Sequence, residues 1–113
     1  MVDDDPRLLE SLENLLESAG YAVCTFSSAK ALIEFGLSGI DCLITDIGMP
    51  VINGFELHDA VKNESPDLPV FMITGRHEIG DQQRASAKDI RGFFHKPFDG
   101  PALLAAVGNA LHA

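Results

Sequence analysis

Cys42-Leu43-Ile44-Thr45-Asp46-Ile47-Gly48-Met49-Pro50 is the stretch that decides how this chain folds. Cys42-Leu43-Ile44 is a continuous apolar run, the pattern of a strand covered on both faces rather than one that faces water on one side. A lone acid, Asp46, stands where that strand would end. Met49 to Asn53 reads as a loop, and Gly54 opens a helix that runs to about Glu64. A strand covered on both faces belongs to a parallel sheet, whose strands are joined by crossover helices.

The flanking sequence alternates as that requires. Upstream, Leu8, Leu9, Leu12, Leu15, Leu16 and Ala19 recur at helical spacing, with Glu10, Glu13 and Glu17 on the other face. Asp5 can cap this helix, Pro6 suits its first turn and Gly20 ends it. Tyr21 to Phe26 reads as a short strand, and Ser27 or Ser28 caps a second helix to about Phe35. Downstream, Ser65-Pro66-Asp67 is a turn, and Pro69 to Ile73 is another apolar strand ending at Thr74-Gly75. A polar helix spans roughly Gly80 to Lys88, and Gly92 to His95 is the last strand. Asp99 caps a final helix that carries Leu103, Leu104, Val107 and Leu111 on one side. Strict alternation predicts an α/β fold: a doubly wound, five-stranded parallel sheet with five helices and right-handed crossovers. Ligands of such sheets sit at the carboxyl ends of the strands. The first strand is short, because only Met1-Val2 precedes the acids, whereas a strand normally has about five or six residues.

Composition narrows the function. At 113 residues and 46% hydrophobic, the sequence reads as one domain over 1–113 with a substantial core. No run approaches the ~18–20 apolar residues of a membrane span, and no signal peptide opens the chain, so a soluble, cytoplasmic protein is the default expectation. A formal net charge of −9 argues against direct nucleic-acid or anionic-membrane binding. Cys24 and Cys42 lack a partner at metal-ligand spacing and read as small core residues. His58, His77, His95 and His112 show no ligand pattern and read as surface residues.

The polar residues at the strand ends carry the chemistry. Asp5 alone accounts for helix capping, which leaves Asp3 and Asp4 as surplus. Beside Asp46, these carboxylates would repel one another unless a cation intervened. Magnesium suits such a set, since it takes oxygen ligands and keeps waters that a phosphate can replace. Asp46 is then a candidate nucleophile toward phosphorus, as carboxylates are in aspartyl-phosphate chemistry. Such transfer depends on positioning and charge neutralisation. Thr74 offers a hydroxyl donor and Lys96 a compact cation. A lone strand-end Thr is explained by β propensity and a lone Lys by solvation. Their occurrence at successive strand ends, with the acids at another, is not.

The whole chain resembles a receiver domain of bacterial two-component response regulators. Val2-Asp3-Asp4-Asp5-Pro6 resembles that family's acidic opening. Asp46 with Met49-Pro50 and Asn53-Gly54 resembles its phosphoacceptor loop, and Thr74 and Lys96-Pro97-Phe98 match its last two signatures. The resemblance implies a flavodoxin-like sheet of order 2-1-3-4-5. It implies that Asp46 accepts a phosphoryl group from a sensor histidine kinase or phosphotransfer protein. Asp3, Asp4, Asp46 and the main-chain carbonyl of Gly48 would hold Mg2+, with Mn2+ as a substitute. Lys96 would contact a phosphoryl oxygen, and the Lys96-Pro97 bond would be cis. Thr74 would swing toward the phosphate and Phe93 turn inward behind it, a two-state switch read on the face built by the fourth helix, fifth strand and fifth helix. The domain would be a phosphoacceptor rather than an enzyme, catalysing at most its own phosphoryl transfer and loss. A homodimer through the switching face is an expectation by family analogy.

The chain departs from the family's pattern in places. Phe93 lacks the hydroxyl of the commoner tyrosine, and Lys88-Asp89-Ile90 replaces a small, glycine-containing segment. Gly48 and Arg76 flank the site where the family tunes phosphate loss. A haloacid-dehalogenase-type phosphatase would need a second Asp where Gly48 stands, and three aspartates in place of a Gly/Ser/Thr-rich loop count against a flavodoxin-like cofactor binder. The rival of another class is a receiver-like interaction module that no longer switches. The last helix closes the sequence, so the expectation is a stand-alone receiver or a piece of a longer regulator, with its kinase and output unnamed.

Overall fold

The computed structural model describes residues 1–48, 51–75, 90–96 and 99–112. Met49-Pro50, Arg76, His77, the expected helix over 80–88, Lys88-Asp89 and the Lys96-Pro97-Phe98 turn lie at least partly outside them. The described elements are α1 (Pro6–Ser18), α2 (Ala29–Phe35), β1 (Leu43–Asp46), α3 (Gly54–Glu64), β2 (Val70–Thr74), β3 (Gly92–His95) and α4 (Gly100–His112). Thus α4 is the final helix expected from the sequence, and β1 to β3 are its third to fifth strands.

Local chemistry sets the helix ends. The Asp5 carboxylate accepts the Arg7 N–H at 3.0 Å and so caps α1. At the other end Gly20 has φ +94°, its N–H donates to the Glu17 carbonyl, and the Tyr21 N–H reaches back to Leu16. This paired closure satisfies two carbonyls that the helix itself cannot, and only a residue at ease in the left-handed region sits comfortably at its pivot. Ser28 rather than Ser27 caps α2. Asn53 and Glu56 cap α3 reciprocally, each side chain accepting the other's backbone N–H at 2.9 and 3.1 Å.

β1 pairs in parallel with β2, and β2 with β3. On the other flank Val2 bridges Thr45 on one side and Phe26 on the other, both in parallel. Reading across the sheet gives Phe26, Val2, β1, β2, β3, the expected order 2-1-3-4-5. The Tyr21–Phe26 strand is a correction: only Phe26 is bridged. A strand lasts as long as its neighbour, and Val2 is the only residue before the acids that pairs with it.

Alternate strand residues serve opposite faces. Ile44, Phe71 and Ile73 pack with Leu9, Leu12 and Leu16 of α1 and with Leu103 and Val107 of α4. Leu43 and Val70 pack with Leu32 of α2 and with Leu57 and Val61 of α3. Helices therefore cover both faces, which is why the strands read as unbroken apolar runs. Two sequence readings are corrected by this packing. His58 is buried, because it shares the inward stripe of α3 with Gly54, Leu57 and Val61 at helical spacing. Cys24 is exposed and Cys42 half-buried, since the short strand at Val2 leaves both partly uncovered.

Candidate functional site

The parallel register delivers the polar residues to one edge. Asp3 follows Val2, Asp46 ends β1, Thr74 ends β2 and Lys96 directly follows β3. Main-chain bonds fix their heights: Asp46 N–H to Val2 at 2.9 Å, Ile47 N–H to Ile73 at 3.1 Å and Lys96 N–H to Thr74 at 2.7 Å. Each group is thus pinned to its neighbour in the sheet, not placed by a free loop.

Asp3 is 1% exposed and Asp46 6%, whereas Asp4 faces solvent. One carboxylate oxygen from each of the three lies within 4.8 Å of the others. Lys96 Nζ donates to Asp3 Oδ2 at 3.0 Å and stands 3.7 Å from Asp46 Oδ1. The other Asp3 oxygen accepts the Asp5 N–H at 2.8 Å. Burial pushes the Asp3 carboxyl above its ordinary value, and the Asp5 N–H and Lys96 ammonium oppose that push. For Lys96, burial pulls the ammonium down, but the Asp3 hydrogen bond and the charges of Asp3, Asp46 and Asp5 outweigh it, so the net direction is up.

Thr74 is fully buried at the end of β2. Gly48 lies two residues beyond Asp46, exposed. Phe93 is half-buried against Ile47, Phe55 and Met72, with its ring edge-on to His95 at 5.1 Å. The edge therefore gathers Asp3, Asp4 and Asp46 around one point, with Lys96 bonded to Asp3 and beside Asp46, Thr74 on the strand between Asp46 and Lys96, and Phe93 one layer behind. Arg76 lies outside the described residues.

Gly54 matters more than its sequence signal suggests. A Cβ built there would stand 2.5 Å from the Asp46 carbonyl oxygen and 2.9 Å from Ile47 Cα. The first residue of α3 therefore rests on the backbone of the acid at the centre of the site, and its N–H donates to the Ile47 carbonyl at 3.0 Å. The Asn53-Gly54 pair was visible as a helix start; that it seats the helix against Asp46 is a tertiary fact.

The donor set suits a hard divalent cation. Three carboxylates face one ammonium group among the described residues, which leaves a surplus of negative charge on two buried acids. Oxygen-only ligands of this kind match Mg2+ or Mn2+ rather than softer metals.

A doubly wound sheet with acids and a lysine at its carboxyl edge is the architecture of phosphoacceptor signalling domains. The family model for the response regulator receiver domain matches residues 1–108. The chain belongs to that family and is a phosphoacceptor receiver domain of a two-component system. It is similar to the transcriptional regulatory protein FixJ of Azorhizobium caulinodans, at 36% identity over 98% of this chain and 53% of that protein. GlrR of Escherichia coli K12 is 35% identical over 98% of this chain and 25% of its own length. The chain thus spans about half, or less, of these curated relatives. Among solved structures, a receiver domain protein from Clostridium thermocellum superposes with TM-score 0.90 at 27% identity, covering 98% of this chain and 90% of that one. The chemotaxis protein CheY4 of Vibrio cholerae does so with TM-score 0.85 at 31% identity, over 97% and 94%. Among the described residues no helix is long and apolar enough to cross a membrane.

Proposed function

We propose that Asp46 is the residue that takes up the phosphoryl group, in a Mg2+-dependent reaction, from a phosphohistidine of a sensor kinase or phosphotransfer protein. The observation that carries this is the position of Asp46: buried at the end of β1, within 4.8 Å of Asp3 and Asp4 and 3.7 Å from the Lys96 ammonium. One carboxylate oxygen of Asp46 forms the new bond to phosphorus as the bond to the histidine nitrogen breaks, and the imidazole leaves with the electron pair. Asp3, Asp4, Asp46 and the Gly48 carbonyl would hold the cation, which when bound neutralises charge on the phosphoryl oxygens. Lys96 neutralises another of those oxygens, and the Thr74 hydroxyl donates to a third. Phe93, packed on Ile47, Phe55 and Met72, would register the change through ring packing, because it has no phenolic hydroxyl. The outcome would be read on the face that includes β3 and α4, by an output partner, an output domain or a second copy of the chain. Any autodephosphorylation would be the domain's own reaction. Bacterial cytoplasm is the compartment consistent with a kinase donor.

The test is intact-mass spectrometry after incubation with acetyl phosphate, with and without Mg2+, on the wild type and Asp46→Asn. The expected result is a Mg2+-dependent gain of one phosphoryl group that the variant lacks. No gain in a folded protein, or an equal gain in the variant, overturns the assignment. The first of these leaves an interaction module that keeps the site without using it.

A further inference from the structure

Thr45 stands one residue before Asp46 on β1, fully buried, and its hydroxyl donates to the Asp46 carbonyl at 3.0 Å. The phosphoryl chemistry proposed for the acidic edge makes no use of that hydroxyl. β1 offers its main chain alternately to its two flanks. On one side the Leu43 and Ile47 N–H groups donate to Pro69 and Ile73; on the other, Ile44 accepts from Val2 and the Asp46 N–H donates to Val2. One further step of the second ladder would bring the Asp4 N–H to the Asp46 carbonyl. Among the described residues no main-chain N–H reaches that carbonyl, and the Thr45 hydroxyl occupies it instead.

Ending the ladder there decides where the acids point. In a continued strand successive side chains leave on opposite faces, so Asp3 and Asp4 could not turn toward one point. Instead the chain leaves the sheet after Asp3, whose N–H still donates to the Phe26 carbonyl at 3.1 Å. The Asp5 N–H turns back onto Asp3 Oδ1 at 2.8 Å, a tight bend closed by the acid's own side chain. Asp3 is thereby buried and Asp4 exposed, yet one carboxylate oxygen of each lies within 4.8 Å of the other and of Asp46. The same departure takes the ladder donor away from a buried residue's carbonyl, which then needs another partner. A valine or isoleucine at position 45 would suit the strand equally well but could not donate.

We propose that Thr45 is a positioning residue for the cation site: its hydroxyl holds the Asp46 carbonyl in place of the Asp4 N–H, which keeps Asp4 out of the sheet and turned toward Asp3 and Asp46. The inference rests on reading these three acids as the Mg2+ ligands, but not on phosphoryl transfer to Asp46. Thr45 touches neither the cation nor a phosphoryl group; it acts through the main chain of Asp46. Without the hydroxyl, the Asp4 N–H is the nearest replacement donor along the ladder. Taking that bond would draw Asp4 into the strand and its carboxylate away from the other two.

The experiment compares the wild type with Thr45→Val, which keeps the side chain's shape, and Thr45→Ser, which keeps the hydroxyl. Amide hydrogen exchange at Asp3 and Asp4 is read in chelator-treated protein, and Mg2+ binding by titration calorimetry. In the wild type the Asp4 amide should exchange about tenfold or more faster than that of Asp3; a protected Asp4 amide there overturns the proposal without recourse to any variant. Thr45→Val should slow Asp4 exchange by about tenfold and weaken Mg2+ binding by about tenfold, whereas Thr45→Ser should stay within about twofold of wild type in both. Wild-type exchange and affinity in Thr45→Val overturn the proposal, as does an equal loss in both variants, which would assign the effect to packing. A wild type that binds no Mg2+ overturns it too. If the exchange and affinity shifts appear as expected but acetyl phosphate adds no phosphoryl group to the wild type, the Thr45 assignment stands and the phosphoacceptor reading of Asp46 falls.

Discussion

Replacing Gly54 by alanine should destabilise the domain, although alanine is the better helix former. Left alone, a Gly→Ala change at a compatible position stabilises by about 0.4–1 kcal/mol through the unfolded chain. Here the new Cβ would lie 2.5 Å from the Asp46 carbonyl oxygen and 2.9 Å from Ile47 Cα, where ordinary contact begins near 3.4 Å. The shortfalls are therefore 3.4 − 2.5, about 0.9 Å, and 3.4 − 2.9, about 0.5 Å. Both obstacles are backbone atoms at the end of the central strand, so neither can rotate away. Either α3 lifts off the sheet and strains the 3.0 Å bond from its first N–H to Ile47, or Asp46 is displaced. Overpacking of this kind typically costs about 1–3 kcal/mol. For a domain of this size that corresponds to a fall of roughly 4–12 °C in the unfolding midpoint.

Gly100 supplies the control. It too opens a helix, behind Asp99, but a Cβ there would meet only the end of the Leu15 side chain, at 3.3 Å. Leu15 can turn aside, so Gly100→Ala should be neutral or slightly stabilising. Thermal and urea unfolding of the two variants, with coincident fluorescence and circular dichroism transitions as the two-state check, decides the matter. If Gly54→Ala unfolds at or above the wild-type midpoint, the close packing of α3 on Asp46 is wrong.

Two further expectations concern titration. In chelator-treated protein, Lys96→Ala removes the cation that opposes burial at Asp3, so the Asp3 carboxyl moves further up from its already raised position. An acid with a raised folded pKa contributes stability that is present below the unfolded value of 3.8 and is lost as pH rises through the folded one. The deficit of Lys96→Ala relative to wild type should thus be small near pH 4 and widen toward pH 7, and urea midpoints that show a constant gap would refute this. Burial likewise pushes the Cys42 thiol from 9.0 up to about 11. The unfolded thiol ionises first, so wild type should lose stability relative to Cys42→Ala between pH 9 and 11, by about 2.7 kcal/mol at most (two units at 1.36 kcal/mol each). Alkylation at pH 8 should label exposed Cys24 well before Cys42, and equal rates would contradict the burial of the second thiol.

Much of this architecture was legible in the sequence, for reasons that differ by element. α1 announces itself because its leucines repeat with the helix period and Asp5, Pro6 and Gly20 mark its ends, and the caps appear where those residues stand. β1 and β2 were readable as unbroken apolar runs because helices cover both faces. What the sequence hid was tertiary. Cys24 sits in a segment with strand-like composition, yet composition cannot say that its neighbour ends after Val2, which leaves the thiol exposed. His58 looked like a surface residue because histidine usually is, but its helical phase places it beside Leu57 and Val61. The strand-end residues Asp3, Asp46, Thr74 and Lys96 were found by their positions, whereas the 3.0 Å bond between residues 3 and 96 could not be read from sequence, since no local pattern links residues 93 apart.

That bond also bears on how the site would work. Without a divalent ion, Lys96 is the nearest positive charge to Asp3 among the described residues, and it is closer to Asp3, at 3.0 Å, than to Asp46, at 3.7 Å. On the proposed reading the ammonium must serve the phosphoryl group on Asp46, so part of its attraction to Asp3 has to be replaced. A cation shared by Asp3, Asp4 and Asp46 would do this, because it supplies two charges to the same carboxylates and leaves the lysine free to turn by the difference between two neighbouring contacts. Lys96 is held at its own N–H by the Thr74 carbonyl, so that turn is a motion of the side chain alone. The same peptide unit that carries Thr74 therefore anchors the lysine. A phosphoryl group drawing the Thr74 hydroxyl and the Lys96 ammonium together would pull on the ends of β2 and β3 at once, and Phe93 on β3 packs directly against Met72 of β2. The pairing of these two strands is thus the physical link between the acid at the sheet edge and the aromatic layer behind it.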